Sequence, residues 1–93
     1  MTYRELIELA FRCEGRELST VTGKRFTVGV HFDCPFFTPK ATGRGRSDGR
    51  NAAERFLARY NETGSNRPSD YADVTRNSSY NVGLILVRTA GRS

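Results

Sequence analysis

Residues 25–32 alternate strictly between two kinds of side chain. The apolar positions are Phe26, Val28, Val30 and Phe32, and the positions between them are Arg25, Thr27, Gly29 and His31. Because successive side chains of a β-strand point to opposite faces, this period of two predicts a strand with one buried and one solvent-facing side. The apolar set favours a core face over the alternative, an aromatic platform that stacks nucleic acid bases.

The segments before this strand predict a helix and a second strand. Thr2 and Glu5 form a capping-box pattern, and apolar residues follow at helical spacing until Gly15. Residues 18–22 are rich in β-branched side chains, which favour a strand. Gly23-Lys24 then suits a two-residue hairpin turn into residues 25–32.

The segments after residues 25–32 continue this pattern. Residues 33–35 predict a turn, residues 36–38 a short third strand, and residues 39–49 a flexible glycine-rich loop. A second helix is then predicted, capped by Ser47 or Asp48 and ended by Gly64. Its buried stripe consists of Ala52, Ala53, Phe56, Leu57 and Tyr60.

Residues 79–87 fit two structures. Their apolar side chains alternate as in a strand, yet Ser79 could cap a helix in which Tyr80, Leu84 and Val87 share a face. Gly83 and the β-branched residues favour the strand. The sequence therefore predicts one α+β domain over residues 1–93: an N-terminal helix, a three-stranded antiparallel meander, a second helix packed on the sheet, and a final strand or helix.

The positive charge is concentrated in the middle of the chain. The formal net charge is +5, and residues 21–60 hold eight basic against three acidic side chains. A basic surface favours polyanions, either nucleic acid or an acidic protein face.

The strongest candidate site is the basic glycine-rich loop before the second helix. Glycines allow backbone N–H groups to converge on an anion, a helix N-terminus adds partial positive charge, and arginine offers forked donors to phosphate. A solvated loop whose charges only promote solubility is the alternative. The predicted polyanion-binding residues, including two at the hairpin turn, are Lys24, Arg25, Lys40, Arg44, Arg46 and Arg50.

The sequence offers little support for catalysis or metal binding. His31 and Cys34 lie close together in sequence, but a structural zinc site needs paired Cys or His spacings, which are missing here. A thiol nucleophile needs a positioned base and an oxyanion pocket. We therefore expect Cys13 and Cys34 to be small buried groups without a disulfide, and we expect no cofactor, no metal and no enzymatic activity.

Four short segments resemble those of small uncharacterised bacterial and phage proteins. They are Gly-Lys-x-Phe-x-Val at 23–28, Phe-Thr-Pro at 37–39, Arg-Pro-Ser-Asp-Tyr at 67–71 and Asn-x-Ser-Tyr at 77–80. The resemblance covers residues 14–86 and implies a stand-alone module carried on a mobile element. It implies no activity, so no catalytic residue is transferred.

Three functions follow as hypotheses. The first is a non-enzymatic module that binds a nucleic acid backbone through the basic loop. The second is a protein-interaction or inhibitor module, dimeric in one version, with an acidic partner. The third is an enzyme using His31 and Cys34 or a tyrosine-lined groove. With no apolar run for a bilayer span or a signal peptide, the sequence predicts a cytoplasmic protein with no membrane contact.

Overall fold

A computed structural model describes residues 1–90, which form three α-helices and a four-stranded antiparallel sheet. In chain order the elements are α1 (Tyr3–Arg12), β1 (Glu17–Ser19), β2 (Arg25–His31), β3 (Cys34–Pro39), β4 (Arg46–Ser47), α2 (Gly49–Thr63), a 3₁₀ helix (Pro68–Tyr71) and α3 (Ser78–Ala90). The predicted α+β class is confirmed. The sheet has four strands rather than three, because the segment expected to be a flexible loop contributes β4.

The first helix begins as its sequence predicts. The Thr2 hydroxyl accepts a hydrogen bond from the Glu5 backbone N–H at 3.1 Å, and the Glu5 carboxylate accepts one from the Thr2 N–H at 2.9 Å. This capping box satisfies two N–H groups that the first helical turn leaves without intrahelical partners.

The sheet has the order β1-β2-β3-β4, and its central pair fixes which side chains are buried. Val28 lies opposite Phe37, and Phe26 lies opposite Pro39. These four residues are buried beneath the helices, whereas Arg25 and Thr27 are exposed. The alternation of β2 therefore marks a core face, as expected from the sequence.

Two of the predicted turns are misplaced. Residues 20–24 form a longer connection, so there is no two-residue turn at Gly23-Lys24. At its ends the Thr20 N–H donates to the Lys24 carbonyl oxygen, and the Lys24 N–H donates to the Thr20 hydroxyl. The tight turn is instead Phe32-Asp33, between β2 and β3, with φ values of 51° and 60°. Phe32, predicted to be a core residue, is therefore 98% exposed at the hairpin tip.

The final element is a helix, so the preference for a strand was wrong. The low helix propensity of Gly83 favoured the strand, but this glycine lies in the helix where α3 packs closely on the sheet. A Cβ on Gly83 would lie 2.9 Å from the Ser19 carbonyl oxygen and 3.0 Å from the Phe26 ring. The missing side chain lets α3 pack closely against β1 and β2, and Leu84 and Ile85 on α3 are buried in the core.

One hydrophobic core joins the helices to the sheet. Its largest buried members, apart from the strand residues already named, are Leu6, Leu9, Phe56, Leu57, Tyr71, Val82, Leu84 and Ile85. The Phe56 and Tyr71 rings lie 4.5 Å apart, which attaches the 3₁₀ helix to α2. Most of the predicted stripe of α2 is buried here.

Candidate anion-binding cleft

A cleft of about 590 Å³ opens where the sheet meets the start of α3. Nine residues line it: Lys24, Arg25, Pro39, Lys40, Ala41, Thr42, Arg44, Arg46 and Tyr80. Five of these are cationic, and all five belong to the six predicted anion-binding residues. We call this concavity the cationic cleft.

Antiparallel pairing brings the cations of two strands together. The Lys40 N–H donates a hydrogen bond to the Arg25 carbonyl oxygen at 3.0 Å, which extends the β2–β3 ladder by one step. Lys24 and Arg25 at the start of β2 therefore lie beside Lys40 at the end of β3. Because of this register, Lys24 and Arg25 lie next to the basic loop, with which they are grouped in the predicted polyanion-binding set.

The remaining two cations are placed by an ordered turn. The Gly43 N–H donates to the Pro39 carbonyl at 2.8 Å with Gly43 at φ 65°, and the Arg44 N–H donates to the Thr42 hydroxyl at 3.2 Å. Arg46 follows in β4, opposite Phe37 of β3. The segment expected to be a flexible loop is thus held at both ends.

Gly45 lies against an aromatic ring. A Cβ at this position would lie 1.8 Å from the Cζ atom of Phe36, so no larger residue fits without displacing the ring or the backbone. Phe36 is itself stacked on His31, with ring centroids 4.0 Å apart. This close approach leaves no space for a side chain on the segment between Arg44 and Arg46.

The charge of the cationic cleft is only partly neutralised. Glu17 of β1 pairs with Arg25 at 3.2 Å and with Lys40 at 3.5 Å. Among residues 1–90, Lys24, Arg44 and Arg46 have no carboxylate within ion-pair distance. Five cations and one carboxylate leave a net charge of +4, which would attract an anion into the concavity.

The floor of the cationic cleft is apolar. Pro39 and Ala41 contribute aliphatic surface, and Tyr80 contributes a half-buried ring. The Tyr80 ring packs edge-on against Phe26 at 5.2 Å and stacks against Phe37 at 5.8 Å. The place of Tyr80 in the cleft depends on α3 being a helix, which was the less favoured of the two structures that the sequence allowed for residues 79–87.

Arg50 lies outside the cationic cleft. Its guanidinium stands over the Tyr3 ring at 5.0 Å and pairs with Glu54 at 3.3 Å. The Tyr3 hydroxyl donates to the Asp33 carbonyl at 2.6 Å, and burial, together with a hydrogen bond to Cys34, raises its pKa. Arg50 therefore belongs to a contact between α1, α2 and the Phe32-Asp33 turn. The N-terminus of α2 does not line the cleft.

The residues weighed for catalysis are separated from the cleft. His31 and Cys34 lie opposite each other across the β2–β3 pair, and neither lines the cationic cleft. Cys13 is buried and Cys34 is half-buried, both as free thiols. Over the same residues, no three His, Cys, Asp or Glu side chains come together as a metal site.

A second, smaller cleft of about 390 Å³ lies beside the N-terminus of α2. Asp48 in this cleft accepts hydrogen bonds from the Thr75 hydroxyl at 2.6 Å and from the side-chain amide of Asn77. Asp48 is the N-cap residue of α2, as predicted, but its carboxylate bonds to these distant residues and makes no hydrogen bond to the first turn of α2.

Comparison of the chain with protein-family models, with curated proteins and with solved structures finds no match. The resemblance of residues 14–86 to bacterial and phage proteins therefore stays a prediction. Within residues 1–90, every helix is too short or too polar to span a lipid bilayer.

Proposed function

We propose that this chain is a non-enzymatic module that binds the phosphate backbone of a nucleic acid in the cationic cleft. The observation that carries the proposal is the convergence of Lys24, Arg44 and Arg46 on one concavity without carboxylate partners in residues 1–90. Lysine and arginine side chains bind phosphates by releasing condensed counterions, which makes affinity strongly dependent on salt. The resemblance to phage proteins makes a mobile-element origin part of the same proposal.

The test compares two triple variants of equal charge. The first variant replaces three cleft residues by Ala: Lys24, Arg44 and Arg46. The second replaces three exposed arginines outside the cleft: Arg12, Arg55 and Arg67. Fluorescence anisotropy with labelled DNA and RNA is measured at several salt concentrations. The cleft variant should lose affinity and reduce the slope of log K against log salt by roughly 2 to 3, while the control keeps the slope of the wild-type protein.

Two results would contradict the proposal. Equal losses of affinity in both triple variants would mean that net charge alone drives binding. Absence of binding by the wild-type protein at low salt would remove nucleic acid as the ligand.

An acidic protein partner is the second candidate, and Phe32 favours it. This side chain is 98% exposed at a hairpin tip, and exposed aromatic residues commonly anchor protein interfaces. The seven residues of β2 separate Phe32 from the cationic cleft by roughly 20 Å, so one partner would have to span both.

Two measurements address this candidate. Polyglutamate and an unlabelled oligonucleotide of equal charge are compared as competitors of labelled DNA. If polyglutamate displaces the DNA equally well, an acidic protein partner is favoured. Light scattering then tests the homodimer version: a dimer that Phe32→Asn converts to a monomer would support it, and a monomeric wild-type protein would exclude it.

A further inference from the structure

We infer that the cationic cleft accepts one unstacked base of a single-stranded nucleic acid, while the neighbouring phosphates lie along its rim. This inference rests on the proposed function and specifies its ligand. It comes from the combination of an apolar floor and a cationic rim, which a phosphate-only site does not need.

The shape of the cleft favours a single strand over a duplex as the ligand. Its volume of about 590 Å³ lies in the range of sites that enclose small organic groups, roughly 300 to 1,000 Å³. In a duplex the bases are paired and stacked inside, so a whole base can enter a concavity of a protein only by leaving the stack. A single strand can turn one base outward into a concavity, which is how most sequence-tolerant binders engage it.

The floor offers a base the surface that it needs. Pro39, Ala41 and the ring of Tyr80 form one apolar surface, and Phe26 and Phe37 hold the Tyr80 ring in place. Contact of a base with an immobile ring costs little conformational entropy on the protein side. The Tyr80 hydroxyl makes no hydrogen bond to another residue of the described chain, so it remains available to a polar edge of the base.

The rim provides cations for more than one phosphate. A nucleotide within a strand brings one phosphodiester charge, whereas the rim carries a net charge of +4 with Glu17 included. Lys24 lies at the start of β2, and Arg44 and Arg46 lie in and after the turn beyond β3. Phosphates on both sides of the inserted base would use these cations together.

The experiment varies the ligand first, so that protein folding is not at issue. Labelled oligothymidylate of about ten nucleotides is compared with an abasic oligomer carrying the same number of phosphates. Oligothymidylate should bind about tenfold more tightly at every salt concentration, with the same salt slope, because base contacts add affinity without adding charge neutralisation. A duplex of equal length and thymidine monophosphate should both bind more weakly than oligothymidylate.

A pair of variants then locates the effect. Tyr80→Leu should reduce the tenfold ratio to roughly twofold, and the urea denaturation curve of the variant shows separately that it is folded. The matched control is Tyr60→Leu, because Tyr60 is also half-buried and stacked on a phenylalanine, yet lies outside the cleft. The control should preserve the full ratio.

The outcomes separate this inference from the proposed function. Equal affinity for the abasic oligomer and oligothymidylate would overturn the base pocket and leave backbone binding intact. Tighter binding of the duplex, or equally tight binding of the monophosphate, would overturn the single-strand assignment. No binding of any of these ligands would overturn both proposals.

Discussion

The carboxylate of Asp48 accepts a hydrogen bond from the side-chain amide of Asn81 at 2.7 Å, although 33 positions separate the two residues in sequence. Asn81 has no exposed surface, and Asp48 also accepts bonds from Thr75 and Asn77. One carboxylate thus joins the N-terminus of α2 to the N-terminus of α3. Since α3 carries Tyr80, this network also positions the floor of the cationic cleft.

Replacing Asp48 should therefore destabilise the whole fold. Asp48→Ala removes the acceptor of one N–H of the Asn77 amide and one N–H of the Asn81 amide, although Asn81 also donates to the Asn77 carbonyl at 3.2 Å. Each unsatisfied buried donor costs about 1 to 3 kcal/mol. We expect the free energy of unfolding, measured by urea denaturation, to fall by about 2 to 4 kcal/mol. Glu62→Ala, at an exposed position of α2, is the control. A loss below about 0.5 kcal/mol, typical of exposed surface positions, would contradict the role assigned to the network.

Gly83→Ala should destabilise the protein, although alanine is the better helix former. The new methyl group would meet the Ser19 carbonyl and the Phe26 ring, and overpacking of this kind costs about 1 to 3 kcal/mol, against a propensity gain of about 1 kcal/mol. We expect a lower thermal midpoint by calorimetry. Asn51→Ala on the exposed side of α2 measures propensity alone and should raise the midpoint slightly. A raised midpoint for Gly83→Ala would mean that α3 does not approach β1 as described.

The loss of unfolding free energy at low pH should depend on Glu5. The hydrogen bond that the Thr2 backbone N–H donates to the Glu5 carboxylate, supported by the Thr2 side chain, lowers the Glu5 pKa below its ordinary value of 4.5. A depressed carboxyl pKa contributes stability that is present above the unfolded-state pKa and lost as the pH falls through the folded-state pKa. Glu5→Gln keeps a hydrogen-bonding side chain without the titration, so its unfolding free energy should change less between pH 6 and pH 3. Identical profiles for the two proteins would contradict this assignment.

Phe32→Asn should stabilise the fold. Phe32 has φ 51° in the tight turn and is 98% exposed, so the substitution relieves a left-handed strain of about 1 kcal/mol and removes almost no packing. Asparagine tolerates this backbone conformation better than phenylalanine does. Phe11→Asn, at an exposed position in α1, should give no such gain in urea denaturation. A loss of stability in Phe32→Asn would show that the exposed ring makes a contact in solution, which points to self-association.

The fold was predictable from the sequence where local patterns and packing agree. The alternation in residues 25–32 and the capping box of Thr2 predicted elements that the structure contains. Gly83 is a case where they disagree: the glycine lowers helix propensity, but close packing against β1 favours it within a helix. That packing partner is distant in sequence, so no local pattern identifies it.

The candidate site was predictable in its charges and not in its shape. Composition and glycine spacing identified Lys24, Arg44 and Arg46, since cations near loops are visible in any sequence. The exclusion of Arg50 depends on its contact with Tyr3, and the inclusion of Tyr80 depends on the position of α3. Both are tertiary facts. The sequence pattern therefore predicted the positive charge of the cleft, but not its apolar floor.

Gly45→Ala should weaken nucleic acid binding without removing any charge. The alanine Cβ would overlap the Phe36 ring, and the chain between Arg44 and Arg46 must move to relieve the overlap. Misplaced cations should lower affinity for labelled single-stranded DNA about three- to tenfold, a loss of about 1 kcal/mol. Adding Phe36→Ala makes room for the methyl group, so the double variant should regain most of that affinity, whereas Phe36→Ala alone should bind nearly as tightly as the wild-type protein. If the double variant binds no better than Gly45→Ala, overlap with the Phe36 ring is not what displaces the cations in Gly45→Ala.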